Sequence, residues 1–251
     1  MISLKNQNVL VTGGSRGIGK ACVEVFLNAG ANVAFTYKAG KVEAENIVNN
    51  YKESSKIKCY SINLVDFSEI EKKIETILTD FDSIDILVNN AGIWKEAAID
   101  KMTIEEWNEM MNINLTSAYL IIKLLAPKMK EKRFGRIINI ASTAGQRGEA
   151  LHSHYAASKG GMISLTKSLA SELGEFNITV NCVAPGWVIT DMTTDSLAET
   201  EVYKKVLSDI PLNKIAQPNE IAGPVLFLAS HLASHITGEI LNVNGGSVLC
   251  G

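Results

Sequence analysis

The chain has 251 residues, 46% hydrophobic and 20% charged, with a formal net charge of −3. That length suits one large domain with a sizeable core, and 19 Gly and 5 Pro exclude collagen-like and low-complexity disordered classes. The near balance of 24 basic and 27 acidic residues argues against nucleic acid or an anionic membrane as partner, and no apolar run approaches the roughly 18–20 residues a bilayer span needs.

Residues Met1 to Lys5 lead straight toward a strand-like segment and leave no room for a secretory signal, so a soluble, cytosolic protein is expected. Asn8 to Thr12 is a short apolar run ending in glycines, and Lys20 to Asn28 carries apolar residues at helical spacing. Ala31 to Tyr37 reads as a strand, and Glu43 to Lys52 as a polar helix. The apolar runs Lys56 to Leu64 and Ile84 to Val88 flank a helical stretch from Phe67 to Asp80. One long helical region, Ile104 to Lys132, precedes a strand from Gly135 to Ala141. Tyr155 to Leu173 reads as a helix, Ile178 to Ala184 as a strand, Asn219 to Ser230 as a helix and Glu239 to Val243 as a last strand. Continuous apolar strands alternating with helices predict a single Rossmann-type, doubly wound parallel sheet covered on both faces, in one domain spanning 1–251.

Cys22, Cys59, Cys182 and Cys250 show no C-x-x-C and no paired framework. His152/His154 and His231/His235 lack metal-ligand spacing with acids or thiols, so no metal is expected.

Thr12-Gly13-Gly14-Ser15-Arg16-Gly17-Ile18-Gly19 lies between the first strand and the first helix. Glycines there permit a tight turn and close approach to a pyrophosphate, and the helix N-terminus supplies N–H donors. The spacing differs from G-x-G-x-x-G, so position in the fold carries the nucleotide reading. A ribose 2′-hydroxyl asks for an acid about 20 residues past the glycines. The run Phe35-Thr36-Tyr37-Lys38 contains none, and Arg16 and Lys38 supply two cations suited to a 2′-phosphate, so NADP(H) is the expected cofactor.

Composition predicts about 0.6 Tyr-x-x-x-Lys/Arg pairs by chance, and the sequence has three with Lys: Tyr37/Lys41, Tyr119/Lys123 and Tyr155/Lys159. Only Tyr155/Lys159 follows a buried-looking strand ending in a hydroxyl residue, Ser142. On a helix the two share one face, about 6 Å apart along the axis. An ammonium so placed would lower the phenol's pKa towards neutrality, making Tyr155 a general acid or base for a carbonyl or alcohol. Ser142 can hydrogen-bond the same substrate oxygen.

These segments, with Asn89-Asn90-Ala91-Gly92, Asn114, Tyr155-Ala156-Ala157-Ser158-Lys159, Pro185-Gly186, Thr190 and Asn242 to Gly246, stand in the order seen in short-chain dehydrogenase/reductases. The chain resembles that family over nearly its whole length, and within it the bacterial 3-oxoacyl-acyl-carrier-protein reductases. The resemblance implies that Tyr155 is the general acid/base, Ser142 polarises the carbonyl, and Lys159 binds the nicotinamide ribose. It implies that Asn114 holds a water relay to Lys159. Asn90, Ala91 and Gly92 would line the adenine-ribose side, and Pro185, Gly186, Val188 and Thr190 the nicotinamide side. Asn63 stands where the family more often has Asp, and its amide oxygen could accept from the adenine amino group.

The implied reaction is NADPH-dependent reduction of a 3-oxoacyl thioester in fatty acid synthesis. The alternatives are a dehydrogenase of another secondary alcohol, sugar or hydroxysteroid, and a catalytically silent NADPH sensor. Trp94, Gln146, His152, Trp187 and Met192 are the candidate substrate walls. Lys132-Arg133 would meet an acidic acyl carrier, opposed by Glu172 and Glu175. A homotetramer is implied, for which Leu115, Tyr119, Ile122 and Ala126, with Met162, Leu165, Leu169 and Leu173, form stripes that suit an interface or the core equally.

Overall fold

The computed structural model describes residues 2–53 and 55–249. Seven strands form one parallel sheet: β1 (Asn8–Val11), β2 (Asn32–Tyr37), β3 (Ile57–Ser61), β4 (Ile86–Asn89), β5 (Gly135–Ile140), β6 (Ile178–Pro185) and β7 (Ile240–Val243). Their order is β3-β2-β1-β4-β5-β6-β7. The chain therefore starts in the middle, winds outward one way through β3, then crosses back beside β1 to build the other half. A crevice opens at that crossover, beyond the carboxyl ends of β1 and β4, where doubly wound sheets take their ligands.

The helices are α1 (Gly17–Asn28), α2 (Lys41–Tyr51), α3 (Phe67–Phe81), α4 (Ile104–Met111), α5 (Ser117–Lys132), α6 (Ala144–Arg147), α7 (Ser153–Leu173), α8 (Thr194–Ala198), α9 (Thr200–Ser208) and α10 (Pro218–Ala229). Strand alternation sends each apolar run to both faces. Val9 and Val11 join Phe26, Ile221 and Val225 of α1 and α10 on one side. Leu10 joins Ile70, Ile74 and Ile77 of α3 and Ile121 and Leu125 of α5 on the other. Burying each such side chain stabilises by about 1.5–3 kcal/mol, which is why the strands read as continuous hydrophobic runs.

Two departures from the sequence reading bear on the site. The region 104–132 is not one helix: a π-turn, Asn112–Thr116, separates α4 from α5. Two short helices, α8 and α9, occupy a stretch where no element was expected, and their apolar side chains cover a small cluster of Val206, Ile210 and Ile215. Of the two apolar stripes, Ile122, Met162 and Leu173 are core, whereas Tyr119 is exposed. Cys22, Cys59 and Cys182 are free, Cys250 lies outside the described residues, and no group of three or more metal-ligating side chains occurs among those described. No helix among them is long and apolar enough to cross a membrane.

Candidate active site

The glycine-rich loop is built by close packing as much as by turning. Gly13 adopts φ 67, and a Cβ on Gly19 would sit 2.0 Å from the Gly13 carbonyl oxygen, so the first turn of α1 presses directly on the loop. Thr12 and Asn90 tie this loop to the end of β4. Thr12 Oγ1 accepts from the Asn90 and Ala91 amides, each at 3.0 Å, and Asn90 Nδ2 donates to the Thr12 carbonyl at 2.9 Å. Arg16, in the N-cap position of α1, makes no side-chain cap, which leaves the helix's first N–H groups open to an anion.

From this loop a cleft of about 500 Å³ runs along the strand ends. Gly13, Ser15, Arg16, Gly17, Ile18 and Gly19 line one part, with Lys38 beyond β2. Asn90, Ala91 and Gly92 form the middle. Ser142, Tyr155 and Lys159 line the far end with Pro185, Gly186 and Val188, and Thr190 reaches back to the glycine loop, where a Cβ on Gly17 would lie 3.3 Å from its Cγ2. Residues from six separate segments thus meet in one cavity. Asn63 is the exception: Ile62 and Leu64 line the cleft, but Asn63 between them does not, and its Oδ1 is buried without a hydrogen-bond partner.

Lys159 is nearly inaccessible and donates from Nζ to the Ile140 carbonyl at 2.8 Å. Its Nζ lies 5.8 Å from the centre of the Tyr155 ring. Burial lowers the Lys159 amine to about 8, and burial raises the Tyr155 phenol to about 12 despite the opposing hydrogen bond from Ser142. The expected depression of the phenol towards neutrality is therefore absent from this site. The ammonium is spent on the sheet carbonyl, and desolvation of the tyrosinate dominates.

Asn114 sits in the π-turn, whose irregular bonding aims its amide at the loop after β4. Its Oδ1 accepts from the Ile93 amide at 2.8 Å, and its Nδ2 donates to the Ile93 carbonyl at 2.9 Å and to Ser158 Oγ at 3.2 Å. A Cβ on Gly92 would lie 3.2 Å from Asn114 Oδ1 and 3.5 Å from Lys159 Nζ, so the absent side chain leaves the gap between these two groups open. Together with the packed glycine loop, this is a cradle that fits a flat, pyrophosphate-bearing dinucleotide.

Some contacts were not foreseen. Arg16 pairs with Asp191 at 3.5 Å, joining the glycine loop to the segment after β6. Lys95 pairs with Glu109 at 2.6 Å, and both line the cleft. Among the candidate walls, Trp94, His152 and Trp187 form one aromatic cluster. Gln146 instead donates to Asn242 Oδ1 at 2.7 Å, and Met192 is exposed at the cleft edge.

Within one chain, Lys132 and Arg133 do not stand at the mouth of the cleft. Both residues precede β5, whereas Ser142 follows it, so six strand residues, about 20 Å, separate them from the site. Lys132 Nζ bonds Ser83 Oγ at 3.0 Å and pairs with Asp85, and Arg133 donates to the Glu175 carbonyl at 2.7 Å. Glu172 faces Lys130 at that same far edge. These charges hold the amino ends of the strands together.

Sheet order, crevice and the Ser–Tyr–Lys group that lines it define a dinucleotide-dependent oxidoreductase. The chain belongs to the short-chain dehydrogenase/reductase family, whose members use a nicotinamide cofactor. Residues 13–247 match the family model described as Enoyl-(Acyl carrier protein) reductase. The chain is 42% identical to the 3-oxoacyl-(acyl-carrier-protein) reductase FabG of Aquifex aeolicus over 98% of each chain, and 42% identical to that of Vibrio harveyi, again over 98% of each. Among solved structures, the short-chain dehydrogenase/reductase of Brucella melitensis named as a glucose/ribitol dehydrogenase superposes with a TM-score of 0.92, at 31% identity and 99% coverage of both chains.

Proposed function

We propose that the chain reduces 3-oxoacyl thioesters to 3-hydroxyacyl thioesters with NADPH. One observation carries the chemistry: Ser142 and a protonated Tyr155 share a single cleft with the glycine loop, Arg16 and Lys38. The phenol, held at about 12 by burial, keeps its proton at neutral pH, which suits donation to a ketone oxygen. Ser142 donates a second hydrogen bond to that oxygen and so favours the charge that develops on it. Lys159 holds the nicotinamide ribose and returns a proton towards Tyr155, with Asn114 positioned behind it. A bound nicotinamide supplies the two electrons as hydride to the carbonyl carbon. Arg16 and Lys38, with no acid after β2, take the 2′-phosphate. Asn90 and Gly92 flank the adenine-ribose side, and Gly186 and Thr190 the nicotinamide side.

The relatives supply the substrate class, since the FabG reductases match over almost the full chain. A polyol or other secondary-alcohol dehydrogenase is the second reading, favoured by the close superposition on the Brucella melitensis glucose/ribitol dehydrogenase. Initial rates with NADPH and NADH over 3-oxobutanoyl thioesters of carrier protein and coenzyme A and over ethyl 3-oxobutanoate, and with NADP+ and NAD+ over ribitol, test both. Thioester reduction with NADPH should dominate, and ribitol oxidation as the fastest reaction would replace the first reading by the second. Assembly as a homotetramer belongs to the same proposal. The exposed Tyr119 on α5 and the edge strand β7 are the surfaces it would cover, and a monomeric mass at micromolar concentration would refute it.

A further inference from the structure

The loops after β4, β5 and β6 each deliver one ring to a cluster whose chain neighbours Ile93, Lys95, Gly186 and Val188 line the cleft together with Tyr155. Trp94 follows Gly92-Ile93, His152 precedes Tyr155 by three residues, and Trp187 follows Pro185-Gly186. The Trp94 ring and the imidazole stack at 4.4 Å with an interplanar angle of 2°, and Trp187 meets Trp94 edge-on at 5.9 Å and 82°. The far side of Trp187 packs on the Val206, Ile210 and Ile215 cluster. The imidazole is held from its backbone as well. The Ala97 amide donates to the Leu151 carbonyl at 2.8 Å, and Leu151 is kept at φ 62, a conformation that costs a leucine energy.

His152 Nδ1 lies 3.0 Å from the Ala150 carbonyl oxygen, which can only accept, so the ring proton is on Nδ1. With the proton on Nδ1, facing the Ala150 carbonyl and the Glu149 carboxylate at 3.9 Å, Nε2 is the ring's acceptor. That nitrogen is buried and has no hydrogen-bond partner, in a residue only 7% exposed. Buried acceptors are normally paired, and an exception calls for a reason. Packing gives none, because a phenyl ring would stack on Trp94 equally well.

We propose that His152 Nε2 is a specificity element that accepts a hydrogen bond from an N–H or O–H group carried by the ketone substrate, with Trp94 and Trp187 as the flat walls around it. This rests on the reading of Tyr155 as the proton donor to a ketone. A thioester brings such a donor in the amide of its thiol arm, and a hydroxyketone brings it as a hydroxyl. Ketones with neither leave the acceptor unpaired and are disfavoured.

The test compares kcat/KM with NADPH for the 3-oxobutanoyl thioester of N-acetylcysteamine, for 4-hydroxy-2-butanone and for ethyl 3-oxobutanoate, in the wild type, His152→Phe and His152→Gln. The preference for a donor-bearing ketone over the ester should fall about three- to tenfold in His152→Phe, the range of one hydrogen bond, and return in His152→Gln, which restores an acceptor. A loss confined to the thioester assigns the donor to an amide N–H, and a loss confined to the hydroxyketone assigns it to a hydroxyl. Preferences unchanged within twofold in both variants, with all ketones turned over, overturn the inference and leave the ketoreductase reading standing. No turnover of any ketone by the wild type defeats both. If His152→Phe does not fold, the nitrogen NMR resonance of His152 Nε2 in the wild type decides: it should move on adding the donor-bearing ketone and not the ester, and a resonance indifferent to both overturns the inference.

Discussion

Lys159 Nζ donates to the carbonyl of Ile140, the last residue of β5, so the sheet and not the phenol one turn away satisfies the buried ammonium. Desolvation still moves the amine from 10.5 to about 8. Between those values the folded chain binds fewer protons than the unfolded one, so stability rises with pH from about 8 to 10.5, and the cost of the buried charge is full below 8. That cost is about 3 kcal/mol. Lys159→Met should therefore raise Tm at pH 7 while losing turnover. A lower Tm would mean that the bond to Ile140 outweighs desolvation. Tyr155 acts with the opposite sign: the phenol moves from 10 to about 12, so its contribution is complete below 10 and is lost as pH rises towards 12.

Tyr155→Phe should cut kcat by about 10²–10⁴-fold, the span of general acid catalysis, and leave cofactor binding by fluorescence close to wild type. Tyr119→Phe should leave kinetics unchanged, since that residue is exposed on α5 and outside the cleft. Tyr37 lines the cleft next to Lys38, so Tyr37→Phe should appear in the KM for cofactor and not in kcat. An inactivating Tyr119→Phe would reassign the proton donor.

Lys38→Asp should shift the ratio of kcat/KM for NADPH over NADH by about 10–100-fold towards NADH, the value of one hydrogen bond to a charged group. Asp191→Asn should act the other way. It frees Arg16 from a pair whose side chains are 66% and 67% exposed, so the gain in NADPH affinity should be about fivefold at most and should shrink with salt. Equal changes for both cofactors would place neither residue near the 2′-phosphate.

Gly19→Ala should destabilise the fold by about 1–3 kcal/mol, as overpacking does, because its methyl would meet the Gly13 carbonyl at 2.0 Å and Asn90 Nδ2 at 2.5 Å. Cofactor affinity should fall with it. Gly148→Ala is the contrasting substitution, since a Cβ there meets nothing within 4 Å and its cost comes from φ 77 alone. Denaturant midpoints of the two variants separate packing from backbone strain.

The strands and the meeting of Ser142, Tyr155 and Lys159 were legible because each apolar run is continuous and each polar group stands at a strand end or helix start. The π-turn was not, because Asn112 to Thr116 have the same apolar spacing as the helices on either side. α8 and α9 escaped for want of a long stripe, although Val202 and Val206 stand four apart. Distance along the sheet was also invisible: Lys132 and Arg133 look close to Ser142 in sequence, but a strand places them at its other end. Nor does sequence spacing announce that Trp94 and His152, 58 positions apart, lie face to face.

The π-turn carries one residue more than the α-helical turn it replaces. Deleting a single residue between Asn112 and Thr116 would let α4 and α5 merge into one regular rod, rotated by about 100° at the splice. The amide of Asn114 would swing off Ile93 and away from the gap at Gly92. Such a shortened chain should be sturdier as a helix and disabled as an enzyme, so the surplus residue serves the aim of one side chain.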